Sequence, residues 1–185
     1  MVDEILGEAE ERMGKAIDFL KRDLSMMRTG RASPVLVENI KVEYYGVPTP
    51  LKQIASITVP EARQLLIQPW DKNSIPSIEK AIVKSDLGVM PSVDKDVIRI
   101  NFPPLTEERR KELVRVVRKR VEDGKIAIRN VRRDALEDIR KLYKDKKISE
   151  DEERRAIERL QKITDRFIDE ATKLGKLKEE EIMEE

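Results

Sequence analysis

The feature that most limits the fold of this chain is a double change in hydrophobic period. Val2, Ile5, Leu6, Ala9, Met13, Ile17, Leu20, Leu24 and Met27 recur mostly every three or four positions, the spacing of one helix face. From residue 39 the period drops to two: Ile40, Val42 and Tyr44 alternate with Asn39, Lys41 and Glu43, which is strand spacing. From about Thr106 to Tyr143 the helical spacing returns, and a third helical pattern follows it. The faces away from these apolar stripes are charged, so none of the three helices is stable without packing partners. The pattern predicts an α+β fold: an elongated three-helix bundle from residues 1–30 and 105–185, with a small β-rich α/β head, residues 31–104, inserted into it.

Local signals give the expected boundaries. The first helix should stop at Thr29, Gly30, Arg31, Ala32, Ser33 and Pro34, with Gly30 as a left-handed stop and Pro34 driving Ser33 out of helix. Pro48 and Pro50 confine residues 46–50 to a turn or an edge segment. Residues 54–59 and 64–68 read as strands joined by a hairpin at residues 60–63, and residues 69–74 as a loop. A short helix over residues 75–85 should be capped by Asn73 or Ser74, with Gly88 beyond its end, and Val97, Ile98 and Ile100 form a last strand. Thr106 caps the long helix. Ser149 and Glu152 form a capping box for the third, whose buried face is Ile157, Leu160, Ile163, Phe167, Ala171 and Leu174 and whose polar end, to residue 185, should fray. Two crossings join bundle and head: residues 29–34 and Asn101, Phe102, Pro103, Pro104 and Leu105. They suggest an L, or a rod with a head, with a proline-stiffened hinge.

Composition removes several functions. The chain has no cysteine and no histidine, hence no thiolate nucleophile, no cysteine metal cage and no histidine base or metal ligand. No Gly-x4-Gly-Lys-Ser/Thr loop occurs, so any nucleotide hydrolysis must come from a partner. The acid groups Glu107/Glu108 and Asp151/Glu152/Glu153 sit at helix starts, where they favour the dipole. Aromatics at 4% argue against a stacking platform for single strands, and Trp70, Tyr44 and Tyr45 read as core or strand-surface residues. Met26 and Met27 read as helix packing. No apolar run reaches the ~18 residues of a membrane span, and residues 1–8 carry no signal-peptide pattern, so a cytoplasmic protein is expected.

What remains is a sorted charge pattern. Basic residues number 38 and acidic 37, a net +1, so binding to a polyanion would have to be local. On the long helix Arg118, Lys125, Arg129, Arg132 and Arg140 fall in one stripe, with Arg133 at its edge, roughly 120° from the apolar face. Glu122 is the one acid of this helix beside them, while Glu112, Asp123, Asp134, Glu137 and Asp138 fall elsewhere. An Arg-rich helix face is most often only solvated. Here the paucity of neighbouring acids and the preference for Arg, which forks onto phosphate, point to a stiff ruler of guanidinium groups along a nucleic-acid backbone. An RNA chaperone that binds helical RNA without a motor, and a coiled-coil module docked on an acidic protein, fit the stripe as well.

Five segments in order resemble the bacterial-type ribosome recycling factor over essentially the full length. They are Met27-Arg-Thr-Gly-Arg-Ala-Ser-Pro34, Val42-Glu-Tyr-Tyr-Gly-Val-Pro-Thr-Pro-Leu51, Glu79-Lys-Ala-Ile82 with Ser85-Asp-Leu-Gly88, Pro103-Pro-Leu-Thr-Glu-Glu-Arg-Arg-Lys111 and Ile128-Arg-Asn-Val-Arg-Arg-Asp134. Val89-Met90-Pro91 departs from the family's usual Leu-Asn-Pro. The resemblance implies an L-shaped molecule with a hinge, and no enzyme. It implies a monomer without cofactor or metal that binds the post-termination ribosome and, with elongation factor G and that partner's GTP hydrolysis, splits it, releasing mRNA and tRNA. The bundle would lie on large-subunit ribosomal RNA near the intersubunit bridges. Carried over by position, Arg129 and Arg132 are the first candidates for RNA contact, then Arg133, Arg110, Arg28 and Arg31, with Arg118 and Lys125 on the same stripe.

Overall fold

The computed structural model describes residues 1–184. Along the chain run α1 (Val2–Ser25), β1 (Lys41–Tyr44), β2 (Val47–Pro50), β3 (Ala55–Glu61), β4 (Gln64–Pro69), α2 (Ile75–Lys84), β5 (Pro91–Asp94), β6 (Val97–Asn101), α3 (Glu107–Lys144) and α4 (Glu150–Met183). The chain divides into two compact units. One holds Met1–Leu24 and Lys111–Glu180; the other holds Ser25–Arg110 with the last turn of α4 from Glu181.

The first unit is a bundle of three helices. Leu6, Ala9, Met13, Ile17, Leu20 and Leu24 are the buried stripe of α1, and Leu113, Val117, Val121, Ile128, Val131, Ala135 and Ile139 that of α3. Each fully buried aliphatic side chain contributes roughly 1.5–3 kcal/mol, which makes these stripes the main cohesion of the bundle. The stripe of α4 is rotated from expectation. Ala156, Leu160, Thr164, Phe167 and Ala171 are buried, whereas Ile157, Ile163 and Leu174 are only half-buried. Small residues let α4 approach closely, and the Thr164 hydroxyl is satisfied by donating to the Leu160 carbonyl at 2.8 Å. Gly175 sits so near α3 that a Cβ there would lie 2.6 Å from Val121 Cγ2.

Cross-helix ion pairs give the directions. Arg12 meets Asp134 and Asp23 meets Arg120, so α1 and α3 are antiparallel. Asp3 meets Arg159 and Glu10 meets Arg166, so α1 and α4 are parallel. Most of these pairs are half-exposed and worth ~0–1 kcal/mol each, which makes them a register device more than a source of stability. The helix ends follow their chemistry. The Thr106 hydroxyl accepts from the Arg109 N–H at 3.1 Å. Ser149 and Glu152 form the reciprocal capping box, at 3.1 and 3.3 Å. The C-terminus of α3 closes with Lys146 left-handed (φ 60°) and with bonds from the Lys146 and Lys147 N–H groups to the Tyr143 and Leu142 carbonyls.

The second unit is built on antiparallel sheets, β1-β2 and β3-β4-β6-β5. β1 and β2 turn at Tyr45 and Gly46, both with positive φ, the requirement of a tight two-residue hairpin. β2 has only β1 beside it, which is how Pro48 and Pro50 are tolerated. The β3–β4 register slips between Thr58 and Glu61, at Pro60, which has no N–H to give. Helix α2 packs against β1, β5 and β6 over a core that includes Val42, Leu51, Leu65, Ile67, Ile78, Ile82, Ile98 and Ile100.

Several expectations are corrected. Helix α1 stops at Ser25, so Met26 lies beyond it and is exposed. Gly30 is not left-handed, since Gly46 and Gly88 are the glycines that are, among the described residues. Ser74 does occupy the N-cap position of α2, but its side chain makes no capping bond and donates instead to the Asp71 carbonyl at 2.6 Å; the turn before it is capped by Asp71, whose carboxylate accepts from the Asn73 N–H. Residues 91–94 form a strand that the sequence reading missed. The end of α4 does not fray through residue 183, because Ile182 is 0% exposed; residue 185 lies outside the described residues. Of the core and surface readings of Trp70 and Tyr45, the surface one stands: they are 69% and 75% exposed, each just beyond the end of a strand.

Candidate nucleic-acid interface

The basic stripe of α3 borders the groove between α3 and α4, which the cross-helix contacts show to be antiparallel: Arg118 faces Glu179, and Arg132 faces Gln161. Val117, Val121, Thr172 and Gly175 lie in this groove, with Arg118, Lys125 and Lys176 on its walls. Helix α3 is 38 residues long. At ~1.5 Å per residue the helix is about 57 Å long.

The stripe residues are in different electrostatic states. Arg118 Nε donates to Glu179 Oε1 at 2.6 Å, so its charge is largely answered by α4. A wheel of α3 alone cannot show that acid. Arg129 reaches Glu122 at 3.2 Å, a pair with both partners half-exposed and therefore weak. Arg132 Nε donates to the neutral Gln161 Oε1 at 2.9 Å, which holds the side chain without cancelling its charge. Arg133 is exposed and has no partner among the described residues, and half-buried Lys125 likewise has none. Within the stripe, the positive charge that no acid among the described residues answers therefore belongs to Lys125, Arg132, Arg133 and exposed Arg140.

The remaining candidates belong to the second unit. Arg28 lies 5.2 Å from the Phe102 ring centroid and donates from a terminal nitrogen to the Pro103 carbonyl at 2.5 Å. Burial, and then the neighbouring Arg109 charge, lower its pKa. Arg110 is half-buried and points a terminal nitrogen at the Met183 carbonyl, 3.5 Å away. The structure thus uses Arg28 and Arg110 as packing groups, while Arg31 is exposed. The two segments singled out as hinge are partly tied to the head. The Ala32 N–H donates to the Ala62 carbonyl at 2.7 Å and the Phe102 N–H to the Arg63 carbonyl at 2.8 Å. Ser33 and Pro34 enter a 3-10 turn, Asn101 ends β6 opposite Gln64, and Phe102 is buried in the head core. Thr29, Gly30, Arg31, Pro103, Pro104 and Leu105 lie outside the head's regular elements.

A basic edge of this kind has the chemistry to make position-fixing contacts with phosphate groups. Comparisons with known proteins give the family. The profile of the family described as ribosome recycling factor matches residues 20–183. The chain belongs to the ribosome recycling factor family. It is 57% identical to the ribosome-recycling factor of Thermomicrobium roseum over 184 residues, with 100% of both chains covered. It is 55% identical to that of Syntrophomonas wolfei over the same length and coverage. Its fold matches a solution structure of the ribosome recycling factor with a TM-score of 0.81 and 52% identity, covering 98% of this chain and 97% of that one. A second match has a TM-score of 0.69, 50% identity and full coverage of both chains. It belongs to a set of models of the T. thermophilus ribosome recycling factor and the E. coli elongation factor G bound to the E. coli post-termination complex. Like its family, the chain is not an enzyme. No helix among the described residues is long and apolar enough to cross a membrane.

Proposed function

We propose that this chain recycles ribosomes: it binds the post-termination complex in the cytoplasm and, with elongation factor G, parts the two subunits so that mRNA and tRNA leave. GTP hydrolysis belongs to the partner. The observation that carries this reading is family membership across almost the whole chain, with relatives covered end to end.

The bundle's part is mechanical. Lys125, Arg129, Arg132 and Arg133 set the edge of α3 on large-subunit RNA near the intersubunit bridges; Arg118 lies on the same stripe with its charge answered by Glu179, and Arg31 adds a basic group on the second unit. Arg28 and Arg110 act indirectly, by shaping the second unit. Thr29, Gly30, Arg31, Pro103, Pro104 and Leu105 serve as the hinge, where no ladder hydrogen bond opposes a change of backbone angle. Phosphate contacts of this kind fix position and are salt-sensitive.

The test is light scattering of post-termination ribosomes mixed with the protein, elongation factor G and GTP. Scattering should fall with the natural chain and stay high with Arg132→Ala. Full splitting by the variant would remove Arg132 from the interface. A chain that ignores ribosomes would overturn recycling in favour of a protein-docking module, and equal affinity for generic duplex RNA would favour a chaperone.

A further inference from the structure

The α3 edge contains one arginine whose partner is uncharged, and that partner is itself fixed. Gln161, on α4, accepts the Arg132 Nε–H with its carbonyl oxygen at 2.9 Å and donates from its amide nitrogen to Asp165 Oδ1 at 2.8 Å. The two bonds impose one orientation on the amide. Turned over, it would set an N–H against the guanidinium and an oxygen against the carboxylate. Asp165 therefore aims the acceptor, and Gln161 aims the arginine. We infer that Gln161 is a positioning residue for Arg132, holding the guanidinium ready for a phosphate group of the RNA.

Chemistry distinguishes this from an ordinary contact between helices. A guanidinium has five N–H donors, and Gln161 takes one, at Nε. The four donors on the two terminal nitrogens have no partner among the described residues. With Nε occupied, Arg132 is left with the end-on fork of its two terminal nitrogens, the geometry for a bidentate grip on two phosphate oxygens. Neutrality matters equally. Arg118 is held by the carboxylate of Glu179 and brings little net charge to a polyanion, whereas Arg132 is held by an amide and brings all of it. A long side chain ordered before binding also avoids the entropy loss of ordering it on the RNA.

The inference rests on the reading that Arg132 meets ribosomal RNA, so the experiment separates the two. Ribosome affinity is measured for the natural chain, Gln161→Met, Arg132→Met and the double variant, over a salt series, with the melting temperature of each. Gln161→Met keeps the bulk and removes the acceptor. It should weaken binding about two- to tenfold, the scale of ordering one rotamer-rich side chain. Its melting temperature and its salt slope should match the natural chain, because Arg132 keeps its charge. Added to Arg132→Met it should change nothing further. Natural affinity for Gln161→Met beside a weakened Arg132→Met would overturn the positioning role and leave the Arg132 contact standing. Natural affinity for Arg132→Met would overturn both. Additive losses would mean that Gln161 touches the ribosome itself, and a lowered melting temperature that it only ties the helices together; either result overturns the inference.

Discussion

Asp71 shows how much one half-buried carboxylate can organise. It accepts from the Tyr45 hydroxyl at 2.6 Å, from the Asn73 N–H at 2.9 Å and from the Tyr44 hydroxyl at 3.4 Å, so it ties the β1–β2 hairpin to the turn before α2. These donors favour the charged form, the Tyr45 bond most, and hold the Asp71 pKa below the usual carboxylate range. Because the folded pKa is depressed, the linked stability is complete above the ordinary value of ~3.9 and is lost as pH falls through the folded value. The Tyr45 hydroxyl is shifted upward, chiefly by the same bond. An NMR titration should find the Asp71 carboxyl closer to the ordinary value in Tyr45→Phe than in the natural chain. An unchanged midpoint would show that the bond does not persist in solution. The sequence placed Tyr44 and Tyr45 on a strand, but nothing in it linked them to an acid 26 residues later.

At the scale of elements, two kinds of glycine separate. Gly14 has open space where a Cβ would stand, so Gly14→Ala should stabilise the bundle by about 0.5–1 kcal/mol through helix propensity alone. Gly175 faces Val121 too closely for any Cβ, so Gly175→Ala should cost about 1–3 kcal/mol, with Val121→Ala recovering part of that in the double variant. Urea denaturation of the four proteins measures both effects. Equal melting of Gly175→Ala and the natural chain would mean that α3 and α4 move apart freely. Helices and caps were legible in the sequence because their signals are local: the stripe of α1, Thr106, and the Ser149–Glu152 box. What escaped depends on a neighbour. Strand β5 offers one apolar residue after its proline, the exposed Val93, and is a strand because β6 pairs with it. Ile182 looked like part of a polar tail and is buried. The α4 seam runs through Ala156, Thr164 and Gly175, which a search for large apolar residues passes over. The basic stripe was visible, but its partners Glu179 and Gln161 lie on another helix.

At the scale of the whole molecule, a chain with a net charge of only +1 still carries, on one helix edge, a row of basic residues that no acid among the described residues answers: Lys125, Arg132, Arg133 and Arg140. Ribosome affinity should therefore fall with salt far more steeply than net charge suggests. Removing Arg133, which is unpaired, should reduce the slope of log affinity against log salt by roughly 0.7–0.9. Removing Arg118, already answered by Glu179, should reduce it by much less. Equal slopes for Arg133→Gln and Arg118→Gln would show that the ion pair opens on binding. The bundle's discontinuity also has a consequence for how the protein is made. Helix α1 is synthesised first, yet every helix it packs against follows residues 25–110 in the chain. At ~5–20 residues per second, residues 25–110 take roughly 4–17 s to make, during which Leu6, Met13 and Leu20 have no bundle partner. Meanwhile the head, which has a core of its own, is made ahead of those helices. The dense charge on the other faces of α1 is then a solubility tag for a nascent chain, and the machine that this protein releases for a new round is the one on which it must itself wait to fold.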